Sequence, residues 1–143
     1  MKVFFDTSVL VSAVIEQLPR HPAAHAAFVH HTNGENTACC STHALAEAYA
    51  TLTALPLARR ISSDAALRLI ETNFIPRLTV LPLDAADYAH SLRRVSALGL
   101  SSGIIYDALH LRAAETAGCE RLLTYNLAHF TRLQSQHVLI TIP

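Results

Sequence analysis

Short, uninterrupted apolar runs alternate along the chain with longer stretches in which apolar residues recur every three or four positions. The runs are KVFF (2–5), TACC (37–40), LTVLPL (78–83), RLLTY (121–125) and VLITI (138–142). Each has strand length, and none shows the strict alternation of a half-exposed strand. The spacing between them predicts helices over 8–17, 22–31, 43–52, 64–74, 84–98 and 104–117, and a short one from 127. Local punctuation supports these limits. Pro22 suits a first helical turn, Ser41 or Thr42 and Ser62 or Ser63 are side-chain caps, Asp84 opens a helix, and Gly118 suits the position just past a helix end. TNGEN (32–36) and GLSSG (99–103) read as turns. Strands that are apolar throughout and separated by helices predict a parallel sheet covered on both faces. The expectation is a single α/β domain over 1–143, a three-layer α/β/α sandwich on a five-stranded parallel sheet.

In such a sheet the carboxyl ends of the strands and the beginnings of the following helices share one edge, where ligands bind. Asp6 follows the first strand directly, with Ser8 two residues on. Glu47 lies six residues beyond Ser41, and its side chain leans back toward the helix start. Asp107 falls in the first turn of the helix beginning at 104, and Asn126 follows the fourth strand. Ser102 lies close to the same edge in sequence. Each has an ordinary reading alone: Asp6 and Asn126 as caps, Asp107 as an acid at a helix start, Glu47 as a solvated helix position. Together, three carboxylates at one edge repel one another unless a cation joins them. Oxygen donors with open positions suit Mg²⁺ or Mn²⁺. A carboxylate-held ion of this kind works on phosphate esters. Neither GxGxxG nor GxxxxGK[ST] occurs, so the phosphate is expected in a nucleic-acid backbone rather than in a bound nucleotide.

Charge and composition narrow this only slightly. Eleven basic residues balance eleven acidic ones, and Lys2 is the only lysine. No broad polyanion-binding surface is expected, although Arg59, Arg60, Arg93, Arg94 and Arg112 are candidates for local phosphate contacts. The hydrophobic share is 51%, yet no apolar run reaches the roughly 18 residues that span a bilayer. The early charges at Lys2 and Asp6 break any signal-peptide core, so a soluble cytoplasmic protein is expected. Cys39, Cys40 and Cys119 read as small buried hydrophobes, because adjacent strand cysteines point to opposite faces. His21 and His25 read as surface histidines, and His110, one turn after Asp107, as a packing or surface residue, with approach to the rim of the acidic pocket as the alternative.

Three segments carry a resemblance that spans nearly the whole chain: VFFDTSVLVSAV, THALAEAY and GIIYDALHLRAAETAGCERLLTYNLAHF. In this order and spacing the chain resembles the PIN domain family, and within it the VapC-type toxins of type II toxin–antitoxin modules. The resemblance implies a PIN-like fold and Mg²⁺- or Mn²⁺-dependent endonucleolytic cleavage of RNA. It places the family's acidic positions at Asp6, Glu47 and Asp107 as metal ligands, with the neighbouring hydroxyl at Thr7 or Ser8. Asn126 stands where the family carries a fourth acid; this removes one negative charge and leaves open whether one ion or two are bound. The implied catalytic set is Asp6, Glu47, Asp107, Asn126 and Ser8. The implied partners are an RNA substrate, a second copy of the chain, and a cognate antitoxin that lays a segment in a hydrophobic groove and directs a basic side chain at the acidic pocket.

Two other readings compete. A PIN-like scaffold that binds RNA or a partner without cutting is compatible with Asn126 in the fourth acidic position. A receiver-type signalling domain is also doubly wound, but it needs a late lysine, and none follows Lys2.

Overall fold

The computed structural model describes residues 1–143. Five parallel strands form one sheet: β1 (Lys2–Phe5), β2 (Thr37–Ser41), β3 (Thr79–Leu81), β4 (Arg121–Leu123) and β5 (Leu139–Thr141). Their order is β3-β2-β1-β4-β5, which puts β1 at the centre. Seven α-helices connect and cover them: α1 (Thr7–Val14), α2 (His21–Thr32), α3 (Thr42–Ala54), α4 (Ser63–Leu69), α5 (Ala85–Ala97), α6 (Ile104–Thr116) and α7 (Leu127–Arg132).

The sheet separates two cores, and strand periodicity sorts the residues between them. Val3 and Phe5 face α1, α2, α3 and α4 together with Cys40 and Leu123, while Phe4, Cys39 and Leu122 face α5, α6 and α7. Phe4 is in register with Cys39 on one side and Leu122 on the other, so these three form one buried row. Cys39 and Cys40 do point to opposite faces, and all three cysteines are free and buried.

The expected elements are all present, with shifted limits. β3 stops at Leu81 rather than 83, because Pro82 has no amide to give the ladder and Asp84 already caps α5 with a capping box through Asp87. β4 ends at Leu123 rather than 125, where the chain turns toward α7. The single helix expected over 64–74 switches after Leu69 to a π-helical turn, Ile70–Phe74, in which the Ile75 amide reaches back to the Ile70 carbonyl. α5 and α6 both end in Schellman motifs. The amides of Gly99 and Leu100 donate to Ser96 and Val95, and those of Gly118 and Cys119 to Glu115 and Ala114. Gly99 and Gly118 take the left-handed conformation this requires, with φ of 67° and 70°.

Candidate metal and nuclease site

The carboxyl edge of β1 and β4 holds Asp6 in place. Its amide donates to the Leu123 carbonyl, continuing the ladder for one more residue, before α1 begins. As the N-cap of α1, Asp6 accepts the Thr7 amide on Oδ1 at 2.8 Å. Oδ2 accepts two hydroxyls, Ser8 Oγ at 2.8 Å and Thr124 Oγ1 at 2.7 Å. Ser8 Oγ in turn accepts the Tyr125 amide, and Thr124 Oγ1 accepts the Asn126 amide. The carboxylate is therefore buried and fixed by two strands and a helix start. The cap reading of Asp6 holds, and both carboxylate oxygens are held at the sheet edge.

Glu47 approaches from α3, one and a half turns after the Ser41 cap. Its Oε2 lies 3.2 Å from His43 Nε2 and 3.5 Å from His110 Nε2. Burial alone would raise the Glu47 pKa, but His110 and His43 outweigh it and hold the carboxyl well below the ordinary range. Asp107 enters from the first turn of α6, is 7% exposed, and pairs with His129 Nδ1 at 3.1 Å. Its pKa is pushed up to about 6, first by burial and then by the Asp6 charge, against the pull of His110 and His129.

His110 is packed rather than exposed, and it takes the alternative position beside the acidic pocket. It is fully buried, with Nε2 directed into the acidic group, 3.8 Å from Asp6 Oδ1 and 3.5 Å from Glu47 Oε2. Nδ1 lies 2.9 Å from Ser41 Oγ. Desolvation would lower its pKa, but Glu47, Asp6 and Asp107 raise it above 6.5. One ligand atom from each of Asp6, Glu47 and His110 lies within 4.8 Å of the others. Neither His110 Nε2 nor Glu47 Oε2 makes a hydrogen bond, although both are buried.

The remaining candidates divide. Ser8 acts on Asp6 directly. Asn126 contributes its amide to Thr124, while its exposed side chain makes no hydrogen bond. Ser102 sits exposed in the loop before α6 with φ of 64° and bonds none of these residues. Thr124 was not singled out from sequence; the available signal was a hydroxyl directly after an apolar strand, as Thr7 and Ser8 follow β1. Two of the candidate arginines are committed elsewhere, Arg94 to a bidentate pair with Glu115 and Arg112 to Asp87. Arg59 and Arg60 line a surface groove of about 800 Å³ that Arg68 also borders. His21 and His25 hold carbonyls of Ser12 and Ala13 near the end of α1.

Acidic side chains from the end of β1, from α3 and from α6 thus lie at the carboxyl edge of the sheet, beside the central strand. The PIN domain profile matches residues 3–134. The chain belongs to the PIN domain family. Among characterised proteins it is 35% identical over 109 residues to ribonuclease VapC27 of Mycobacterium tuberculosis, a match covering 76% of this chain and 74% of that protein. Among solved structures it resembles VapBC2 of Rickettsia felis bound to a promoter DNA fragment, with a TM-score of 0.70 at 18% identity over 100% of this chain and 99% of that one. It also resembles the M. tuberculosis VapC20 toxin, which cleaves the sarcin–ricin loop, with a TM-score of 0.68 at 17% identity over 84% and 86% of the two chains. These structural likenesses give the PIN fold. No helix of the chain is long and apolar enough to cross a membrane.

Proposed function

We propose that this PIN domain is a Mg²⁺- or Mn²⁺-dependent endoribonuclease that acts as the toxin of a toxin–antitoxin pair. The observation that carries the reading is Asp6 and Glu47 within 4.8 Å of each other, with Asp107 near enough to feel the Asp6 charge, in a chain 35% identical to a VapC ribonuclease. The donor set fits the ion. A buried Glu47 oxygen lacks a hydrogen bond, and the Asp107 carboxyl is raised first by burial and then by the Asp6 charge. When bound, a divalent cation supplies an acidified water and a counter-charge for phosphate oxygens.

The chain's own residues prepare that chemistry. Ser8, Thr124 and the Thr7 amide hold both Asp6 oxygens in one orientation, so no carboxylate rotation has to be frozen on binding. His129 holds Asp107 from the solvent side. Asn126, anchored through its amide beside Thr124, presents a neutral amide side chain to the edge where the RNA backbone would lie. The partners are an RNA substrate, a cognate antitoxin and a second copy of the chain.

The test is cleavage-site mapping on total cellular RNA with purified protein. Cleavage appears with Mg²⁺ or Mn²⁺ and stops with EDTA. Asp6→Asn and Asp107→Asn lower the rate by about 100-fold while circular dichroism shows both variants folded at the assay temperature. Variants that cut as fast as the parent would remove the acidic pocket from the reaction. Metal-independent RNA binding without cleavage by the parent would instead support the non-cutting scaffold.

A further inference from the structure

We infer that His110 is a nitrogen ligand to the ion bound by Asp6 and Glu47, so that the site has a mixed imidazole–carboxylate donor set and favours borderline transition ions over Mg²⁺. The inference rests on the metal-dependent reading above and concerns which atoms hold the ion.

The geometry starts from the fixing of the ring. His110 stands one turn beyond Asp107 on α6 and is fully buried against the end of β2. Phe4 lies at 5.9 Å from it, ring centre to ring centre, and His43 at 5.5 Å. His43 is itself stacked on Tyr106 at 5.0 Å with 10° between the planes. Ser41 Oγ, 2.9 Å from Nδ1, already accepts the Ala44 amide as the α3 cap and has a second lone pair for an Nδ1 proton. In that tautomer Nε2 carries its lone pair toward the carboxylates. A metal-bound histidine commonly donates its other ring N–H to a supporting oxygen, and Ser41 occupies that place.

Nε2 is the ring atom left without a hydrogen bond. It is buried and faces one oxygen at 3.5 Å and another at 3.8 Å. Donors sharing an ion at about 2.1 Å stand about 3.0–3.5 Å apart, close to the 3.5 and 3.8 Å from Nε2 to the two carboxylate oxygens. Glu47 Oε2, also without a hydrogen bond, is relieved by the same ion. Imidazole suits cobalt, nickel and zinc, whereas Mg²⁺ prefers oxygen throughout, so one nitrogen in the set tilts selectivity.

The experiment measures binding, not activity. Full-length protein freed of metal is titrated with Co²⁺ and with Mg²⁺ by calorimetry, with the visible absorption of Co²⁺ as a second signal. His110→Gln replaces the nitrogen with an oxygen donor. The expected result is a fall of about tenfold or more in the Co²⁺-to-Mg²⁺ affinity ratio, with Mg²⁺ affinity changed less than Co²⁺ affinity. Asp6→Asn weakens both ions together. An unchanged ratio in His110→Gln overturns the inference, while loss in Asp6→Asn in that same case leaves the metal-dependent reading standing. A parent that binds neither ion overturns both. Should His110→Gln fail to fold, ¹⁵N spectra of the parent's imidazoles decide the matter. Ligation moves the His110 Nε2 resonance on addition of Zn²⁺ and leaves Nδ1 protonated, and a resonance unmoved at saturating Zn²⁺ refutes ligation.

Discussion

Ser41 is the point where the fold and the site share an atom, and replacing it with alanine separates their contributions. Its hydroxyl caps α3 by accepting the Ala44 amide at 3.1 Å and meets His110 Nδ1 at 2.9 Å, in full burial. Loss of the cap costs about 1 kcal/mol. Loss of the second bond strands a buried ring nitrogen, at about 1–3 kcal/mol more. Ser41→Ala should therefore destabilise by about 2–4 kcal/mol. Ser62 supplies the control, because it caps α4 through Ala65 at the same 3.1 Å but is exposed and has no second partner. Ser62→Ala should cost about 1 kcal/mol or less. Urea unfolding gives both values, with unchanged slopes as the sign that only stability moved. At this chain length about 3 °C of thermal midpoint accompanies each kcal/mol, so the shifts are about 6–12 °C and about 3 °C. Equal losses in the two variants would refute the reasoning, since they would mean that the Ser41–His110 contact contributes nothing beyond an ordinary cap.

Two further outcomes follow from features away from the site. Glu115 is largely buried and accepts both Arg94 Nη1 and Nη2 at 3.0 Å, with Ser135 Oγ also at 3.0 Å. Burial opposes its ionisation, but Arg94 and then Ser135 win, and its pKa lies below the ordinary 4.5. A depressed carboxyl stabilises above its unfolded value and loses that contribution as pH falls through the folded one. Glu115→Gln should thus cost about 1–2 kcal/mol at neutral pH, and the gap to the parent should close below pH 4.5 in acid unfolding curves. A gap that persists undiminished at pH 2 contradicts the charge-based account. Gly99→Ala and Gly118→Ala should each cost about 1 kcal/mol by denaturant unfolding, and about 2 kcal/mol together. Nothing lies within 4 Å of either added Cβ, so strain at positive φ is the whole cost, and a neutral substitution would show that the helix ends relax.

Local chemistry made much of this protein legible. Lys2–Phe5 reads as a buried strand because four residues without polar alternation leave no solvated face, and it lies at the centre of the sheet. Asp84, Gly99 and Gly118 mark helix ends through bonds within a few residues, which sequence carries directly. The expectation that Asp6, Glu47 and Asp107 share an edge needs only parallel strands with helices between them, since that arrangement sends every strand end the same way. The π-turn at Ile70–Phe74 was not legible, because helical periodicity does not distinguish an added residue within a turn from a regular one.

His110 marks where sequence reading stopped. α6 packs against β2, α3, α5 and α7, so apolar and polar positions on several of its sides are covered, and no single stripe tells inside from outside. A histidine on such a helix reads the same whether it fills space, faces water or points at carboxylates. Its role depends on Ser41 of β2 and Glu47 of α3, 69 and 63 positions away along the chain. Thr124 needed the register of β4 on β1 to bring its hydroxyl to Asp6. The sequence by itself determined the strands, the caps and the edge to which the acids come. Tertiary structure decided which nitrogen and which hydroxyl meet them there, because those contacts are set by packing between elements remote in the chain.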